Sequence, residues 1–105
     1  MKALIWNYTT AVAKSVEVMA LEGPLSSRAA HAWAGVREAQ QPLWVAVVTC
    51  FGPSETARQL LAAIRAYADA FARERMAYRF GVGETAATNV ARIAAQRELF
   101  AQLAK

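Results

Sequence analysis

A long stretch without helix-breaking residues constrains the fold of this chain more than any other feature. From residue 55 to residue 80 the sequence contains no glycine or proline. Ser54 is a suitable N-cap, Glu55 suits the first turn of a helix, and Gly81 interrupts the pattern. Apolar side chains recur at the spacing of one helix face, at Leu60, Ile64, Tyr67, Phe71 and Tyr78. We therefore predict one long helix over 55–80, with this stripe facing the core.

Two segments near the N-terminus are also predicted to be helical. The first ends near Gly23, and its apolar stripe consists of Leu4, Tyr8, Val12, Val16 and Met19. Trp6 lies on the opposite face, where we expect it to be exposed and to pack against a neighbouring loop. The second helix begins at Ser26 or Ser27 and leaves His31 in solvent. Its inward face is predicted to consist of Leu25, Ala29, Trp33 and Val36.

Residues 40–42 are predicted to break the second helix before an apolar segment at 43–51. Pro42 suits the first position of a short buried helix. The β-branched side chains of Val45, Val47 and Val48 leave a buried strand as the alternative. We expect Cys50 to be buried as a small apolar residue. A last helix is predicted over about 84–103, and its inward face comprises Val90, Ile93, Phe100 and Leu103.

Composition agrees with this helical pattern and excludes several classes of site. Alanine, the strongest helix former, supplies 25 of the 105 residues. We therefore predict an all-α fold in which residues 1–105 form one bundle of four to five helices. One cysteine and one histidine exclude an internal disulfide and leave too few ligands for a structural zinc site. We expect no metal, no cofactor and no enzymatic activity, because no catalytic constellation is present.

The sequence also bears on the cellular setting of the chain. A lone cysteine is typical of a reducing, cytoplasmic protein. The longest apolar run, 43–48, is far shorter than the ~20 residues that a membrane span requires. We therefore expect a cytoplasmic protein with no membrane contact.

Arginine dominates the positive charge. The chain has 12 lysines and arginines, nine of them arginine, against 8 acidic residues, which gives a net charge of +4. The planar guanidinium group suits phosphate or carboxylate partners. The alternative is that alanine and arginine are both frequent because the coding sequence is GC-rich.

Residues 73–92, RERMAYRFGVGETAATNVAR, contain a small residue, Ala77, four positions before Gly81. Apolar residues surround this pair at Met76, Phe80, Val82 and Val90. The segment resembles the helix-turn-helix of bacterial DNA-binding regulators. In that motif alanine lets the second helix approach closely, and glycine adopts the left-handed backbone of the turn. A plain helical hairpin connected by Gly81 and Gly83 is the alternative.

The resemblance implies that the helix beginning near Glu84 enters the major groove of DNA. The residues that it implies for base contacts are Thr85, Thr88, Asn89 and Arg92. Those that it implies for backbone contacts are Arg73, Arg75 and Arg79. On this basis we predict a small nucleic-acid-binding protein, with double- or single-stranded DNA as partner.

Such a protein acts by binding, as a regulator or as an inhibitor of a nucleoprotein complex. A tiny basic helical chain of this kind resembles, by type only, the inhibitor proteins of phages and mobile elements, among them anti-CRISPR proteins. The alternative is a protein-binding helical module without nucleic-acid contact. It would dock through Trp6 and alanine-rich helix faces or form a homodimer.

Overall fold

Four α-helices follow one another with short connections in the computed structural model, which describes residues 1–81 and 83–105. They are α1 (Lys2–Glu22), α2 (Ser27–Phe51), α3 (Glu55–Phe80) and α4 (Thr85–Leu103). No strand occurs in these two ranges. The prediction of an all-α bundle of four to five helices is therefore confirmed.

The predicted helix boundaries are confirmed where capping chemistry is strong. Ser26 and Ser54 each accept a hydrogen bond from the backbone N–H three residues later, at 3.0 and 3.2 Å. Gly81 ends α3 with φ 66° and ψ 23°, and its N–H donates to the carbonyl oxygen of Ala77. A side chain at Gly81 would be strained in this left-handed conformation. The long helix over 55–80 forms as predicted.

The helices form a layer in the order α2, α1, α3, α4, and α2 also contacts α3. Trp6 meets Phe71, and Glu17 meets Arg79, so α1 and α3 run in the same direction. Helices α2 and α4 run antiparallel to their neighbours. The molecule measures 39 × 32 × 19 Å, and 26 residues at about 1.5 Å rise give α3 a length close to its longest dimension.

The core lies where α1, α2 and α3 meet. Its fully buried apolar side chains are Leu43, Val47, Leu60 and Ile64. The buried face of α1 differs from the predicted stripe, because it consists of Ile5, Tyr8, Thr9, Ala13, Ser15 and Val18, whereas Met19 is exposed. The buried hydroxyl of Thr9 has a hydrogen-bond partner, since its Oγ1 donates to the carbonyl oxygen of Ile5 at 2.8 Å. Because α1 has neighbours on two sides, its small and polar residues are covered as well.

The predicted break before Pro42 is wrong, because α2 continues through it to Phe51. Residues 43–51 are helical, as predicted, and are not a strand. Pro42 is exposed, and so is Glu38, the residue whose carbonyl oxygen Pro42 leaves without a donor. Leu43 and Val47, which follow it, are fully buried, and burying their side chains favours continuation of the helix. Cys50 is exposed, so its predicted burial is also wrong.

Several side chains predicted to face inward are exposed on the two outer helices of the layer. In α2 and just before it these are Trp33 and Leu25, and in α4 they are Val90 and Phe100. These residues lie on the sides of α2 and α4 that no other helix covers, so a full apolar stripe is not buried. Leu99 is the buried apolar residue of α4, while Ile93 and Leu103 are partly buried. Tyr78, at the end of α3, is exposed as well.

Trp6 is 52% exposed, as predicted, but it packs against Phe71 of α3 rather than against a loop.

Within the described ranges, none of the helices combines the length and hydropathy that a bilayer crossing requires.

Candidate functional site

The residues predicted to bind nucleic acid lie on the two helices that flank the turn at Gly81. Two of the predicted base-contacting residues face α3 instead of solvent. Asn89 Nδ2 donates to Glu74 Oε2 at 3.0 Å, and Arg92 Nε donates to Glu74 Oε1 at 3.2 Å. Arg92 also donates from Nη1 to Gln96 Oε1 at 2.6 Å. The bonds from Asn89 and Arg92 to Glu74 therefore hold α4 against α3, whereas the bond to Gln96 lies within α4.

The two threonines of the predicted site lie in the first turns of α4. Thr88 Oγ1 donates to the carbonyl oxygens of Glu84 and Thr85, at 3.1 and 3.0 Å. This local hydrogen bond directs the Thr88 hydroxyl toward its own helix. Thr85 is exposed.

The three arginines predicted to contact the nucleic-acid backbone do not share one face of α3. Arg73 pairs with Asp69 at 3.1 Å, and Arg79 pairs with Glu17 of α1. Arg75 is exposed and pairs with no carboxylate among the described residues. Each helical residue turns by about 100°, so Arg73 and Arg75 point in nearly opposite directions. Arg73 lies beside Thr88 and Met76, whereas Arg75 and Arg79 open toward α1 and α2.

The backbone of the turn agrees with the helix-turn-helix resemblance and equally with a plain hairpin. Gly81 is left-handed, and Ala77 is buried. Helices α3 and α4 remain adjacent from Glu74 and Asn89 down to Tyr67 and Leu99. Val82, one of the apolar positions of the resemblance, lies outside the described residues. The resemblance therefore stays a prediction.

An apolar groove of about 580 Å³ lies at the far end of the α3–α4 pair from this turn. Its walls are the start of α1 and the end of α4, and the middle of α3 lies between them. The residues that line it are Lys2, Ile5, Trp6, Tyr67, Leu99, Phe100, Leu103 and Ala104. Lys2 is the only charged residue in this lining. The groove forms because α1 and α4 flank α3 without backbone contact between them.

The aromatic side chains of the groove are held in place by packing. The ring of Trp6 meets Phe71 edge to face, with centroids 5.5 Å apart and planes at 79°. Tyr67 lies 6.2 Å from Phe71, so the three rings form a row along α1 and α3. Phe100 is 57% exposed on the opposite wall. The groove is thus a preformed apolar surface with two half-exposed aromatic residues, Trp6 and Phe100.

A second depression, of about 510 Å³, lies at the opposite end of α1 and carries positive charge. We call it the basic depression. Its four cationic side chains come from three helices and are Lys14, Arg28, Arg75 and Arg79. Glu17 is the only carboxylate in its lining. A smaller depression of about 270 Å³ shares Lys14 and Arg28 with it and adds His31.

The sequence pattern did not indicate Lys14 and Arg28 as partners of Arg75 and Arg79. The four residues are spread from α1 to the end of α3, and no local motif connects them. The sequence pattern also did not indicate Phe100 as a surface residue, because helical spacing does not show which apolar face has a neighbour. The exposed position of Trp6, opposite the predicted stripe, was the one signal of the groove.

Within the described residues, no group of three His, Cys, Asp or Glu side chains is placed to hold a metal ion. Comparisons with protein-family models, curated proteins and solved structures found no match to this chain. The functional proposals therefore rest on the apolar groove and the basic depression.

Proposed function

We propose that this chain is a protein-binding helical module and that its apolar groove docks an amphipathic helix of a partner protein. The observation that supports this is the half-exposure of Trp6 and Phe100 on the two walls of a preformed apolar groove. Tryptophan and other aromatic residues that lie against a pocket dominate the energy of protein interfaces. Covering both rings removes a contiguous apolar surface from water, which favours association.

The shape of the groove favours a helical partner. Helices α1 and α4 lie on either side of α3 and leave a furrow along it. A helix placed in this furrow contacts both walls at once, as helices do when ridges pack into grooves. Its anchors are apolar side chains three and four positions apart, which is the usual pattern of helix-in-groove recognition.

Charge defines the partner further. Lys2 lines the groove, and Arg97 is exposed one turn before Phe100 on α4. Acidic residues beside the apolar face of the partner helix complement these cations. A second copy of the chain fits less well, because each copy carries a net charge of +4 and presents the same lysine at the groove.

The test uses the full chain and a fluorescein-labelled peptide of about 18 residues, with leucines at helical spacing and glutamates on both flanks. We expect Trp6→Ala and Phe100→Ala each to weaken peptide binding by roughly fivefold or more, measured by fluorescence anisotropy. Trp33→Ala is the matched control, since Trp33 is 54% exposed on α2 and does not line the groove. We expect it to change the affinity less than twofold.

Two results would contradict the proposal. Equal affinities of the Trp6→Ala and Trp33→Ala variants would remove the groove as the docking surface. A dimer in sedimentation velocity that dissociates in Trp6→Ala would assign the groove to a second copy. A matched peptide with lysine in place of glutamate should bind several-fold more weakly than the acidic peptide.

A further inference from the structure

The basic depression at the other end of α1 has the composition of a phosphate-binding surface. Lys14 of α1, Arg28 of α2 and the pair Arg75 and Arg79 of α3 surround it, against one lining carboxylate, Glu17. Each cation is exposed, so each is accessible to a ligand. We infer that this depression binds single-stranded nucleic acid, with its cations on successive phosphates and Tyr78 stacked on a base.

Two of the four cations are without a counter-charge. Lys14 and Arg75 pair with no carboxylate among the described residues. They come from different helices, yet both line the same depression. Two unpaired cations on one surface attract an anion, because their charges add in the space between them.

The other two cations are in ion pairs that leave most of their donors available. Arg28 pairs with Glu22 at 2.8 Å, and its side chain is 71% exposed. Arg79 pairs with Glu17, and its side chain is 51% exposed. A guanidinium group has five N–H donors, and exposed pairs of this kind contribute little to stability. Glu17 is largely covered and holds Arg79 beside α1, so it is a positioning residue for the site.

An exposed aromatic residue beside these cations favours a single strand over a duplex or a small phosphate. Tyr78 is 66% exposed and lies three residues after Arg75, so the two side chains are neighbours on the helix surface. Leu21, which is 62% exposed, lines the depression from α1. Unpaired bases stack on such surfaces while arginines contact the backbone. A duplex keeps its bases stacked inside and gains nothing from Tyr78.

This site differs from the nucleic-acid site that the helix-turn-helix resemblance implies. It retains Arg75 and Arg79 and adds Lys14 and Arg28, which lie outside residues 73–92. It does not use Thr85, Thr88, Asn89 or Arg92. It is also separate from the apolar groove, so it does not depend on the proposed protein-binding function.

The test measures binding of a fluorescein-labelled oligothymidylate of about 20 nucleotides by anisotropy at 50 and 200 mM NaCl. About three to four phosphate contacts on a single strand predict a loss of roughly tenfold or more over this range. We expect the double variant Lys14→Ala/Arg75→Ala to weaken binding at least tenfold at 50 mM NaCl. We also expect it to reduce the salt dependence. Neither substitution leaves a carboxylate without its partner, so the fold should persist.

Matched controls assign the effect to the depression. Arg58→Ala/Arg97→Ala removes the same charge elsewhere on the surface and should change the affinity less than twofold. Tyr78→Ala should weaken binding several-fold, and Tyr78→Phe should restore it, because stacking requires the ring and not the hydroxyl. Trp6→Ala should have no effect, which keeps this test independent of the groove.

Four outcomes would overturn the proposal. They are absence of binding at 50 mM NaCl, an equal loss in the Arg58→Ala/Arg97→Ala control, and a duplex of the same length that binds as tightly. The fourth is a loss in Thr85→Ala/Thr88→Ala without a loss in Lys14→Ala/Arg75→Ala, which would return the site to the start of α4.

Discussion

The two ends of helix α1 differ in surface chemistry, because one end borders an apolar groove and the other a positively charged depression. At its start, Trp6 and Ile5 contribute to the apolar groove, and three turns later Lys14 and Glu17 contribute to the basic depression. Both sites form where α1 and α3 meet a third helix. That helix is α4 at the groove and α2 at the basic depression. The third helix extends the character that α1 and α3 already give each site, because α4 adds Leu99 and Phe100 to the groove and α2 adds Arg28 to the basic depression.

This difference determines how each site is expected to respond to perturbation. The groove depends on the position of two walls, so it requires that α4 stay packed on α3. The basic depression depends on exposed side chains of α1, α2 and α3, whose contacts with a polyanion depend on salt rather than on close packing. Loosening α4 and raising the salt concentration are therefore expected to affect different ends.

The largest effect is expected for Glu74→Ala. The Glu74 side chain is 15% exposed and accepts hydrogen bonds from both Asn89 and Arg92 of α4. Its removal leaves the partly buried charge of Arg92 without a counter-charge, which should cost about 2 kcal/mol of unfolding free energy. We expect a fall in melting temperature of roughly 10 °C by circular dichroism. Peptide binding in the groove should weaken, and oligonucleotide binding should persist below the melting temperature.

Asp69→Ala is the control for this prediction. It breaks the exposed pair of Asp69 with Arg73, whose side chains are 60% and 72% exposed, and should cost less than about 1 kcal/mol. If both variants melt at the same temperature, Glu74 does not hold α4, and the contrast between the two ends loses its structural basis.

The next largest effect is expected from salt, which should weaken ligand binding at one end of α1 much more than at the other. Between 50 and 200 mM NaCl we expect oligonucleotide binding to weaken roughly tenfold or more, which corresponds to about 1.4 kcal/mol. Peptide binding should change about twofold, because burial of apolar surface supplies most of its free energy. Both titrations use the same protein sample and the same anisotropy readout. A similar salt dependence for the two ligands would show that they share one surface.

Much of the helical architecture was predictable, because the signals involved are local. Ser54 and Gly81 bracket α3, and the residues between them have one clear period, so the boundaries of that helix are confirmed. The predicted break at Pro42 is wrong because the sequence does not show that Pro42 is exposed while Leu43 and Val47 are buried. Tertiary burial overrides a local helix-breaking signal in this case.

The surfaces were less predictable than the helices. An apolar stripe predicts a face, but only the packing order shows whether a neighbour covers it, and Phe100 and Trp33 are on outer helices. The basic depression requires that α1 and α3 run in the same direction, which brings Lys14 near Arg75. Glu74 and its two partners in α4 lie 15 and 18 residues apart in sequence, so their pairing also depends on the hairpin.

A smaller effect is expected at the turn that positions α4. Gly81→Ala places a side chain at φ 66°, which should destabilise the fold by about 1 kcal/mol. Gly35→Ala is a matched substitution inside α2, where no atom lies within 4 Å of the added carbon. It should raise the melting temperature, because alanine favours the helix. Urea unfolding of both variants measures the difference, and equal shifts would argue against a left-handed turn.

The smallest effect concerns Tyr8, which lies in the core between the two ends and contacts Trp44. Burial raises the pKa of Tyr8 above its usual value of 10.0, and the nearby charge of Arg65 partly offsets this. The folded chain therefore holds the phenol proton more tightly than the unfolded chain. The resulting contribution to the free energy of unfolding is complete below pH 10 and is lost as the pH rises above it.

In urea unfolding, the Tyr8→Phe variant should lose less unfolding free energy between pH 8 and pH 11 than the native sequence. Both sites depend on the folded core, so alkaline unfolding should abolish peptide and oligonucleotide binding together. A higher salt concentration, in contrast, should weaken oligonucleotide binding much more than peptide binding. An equal loss of stability in the variant would assign the alkaline effect to another group.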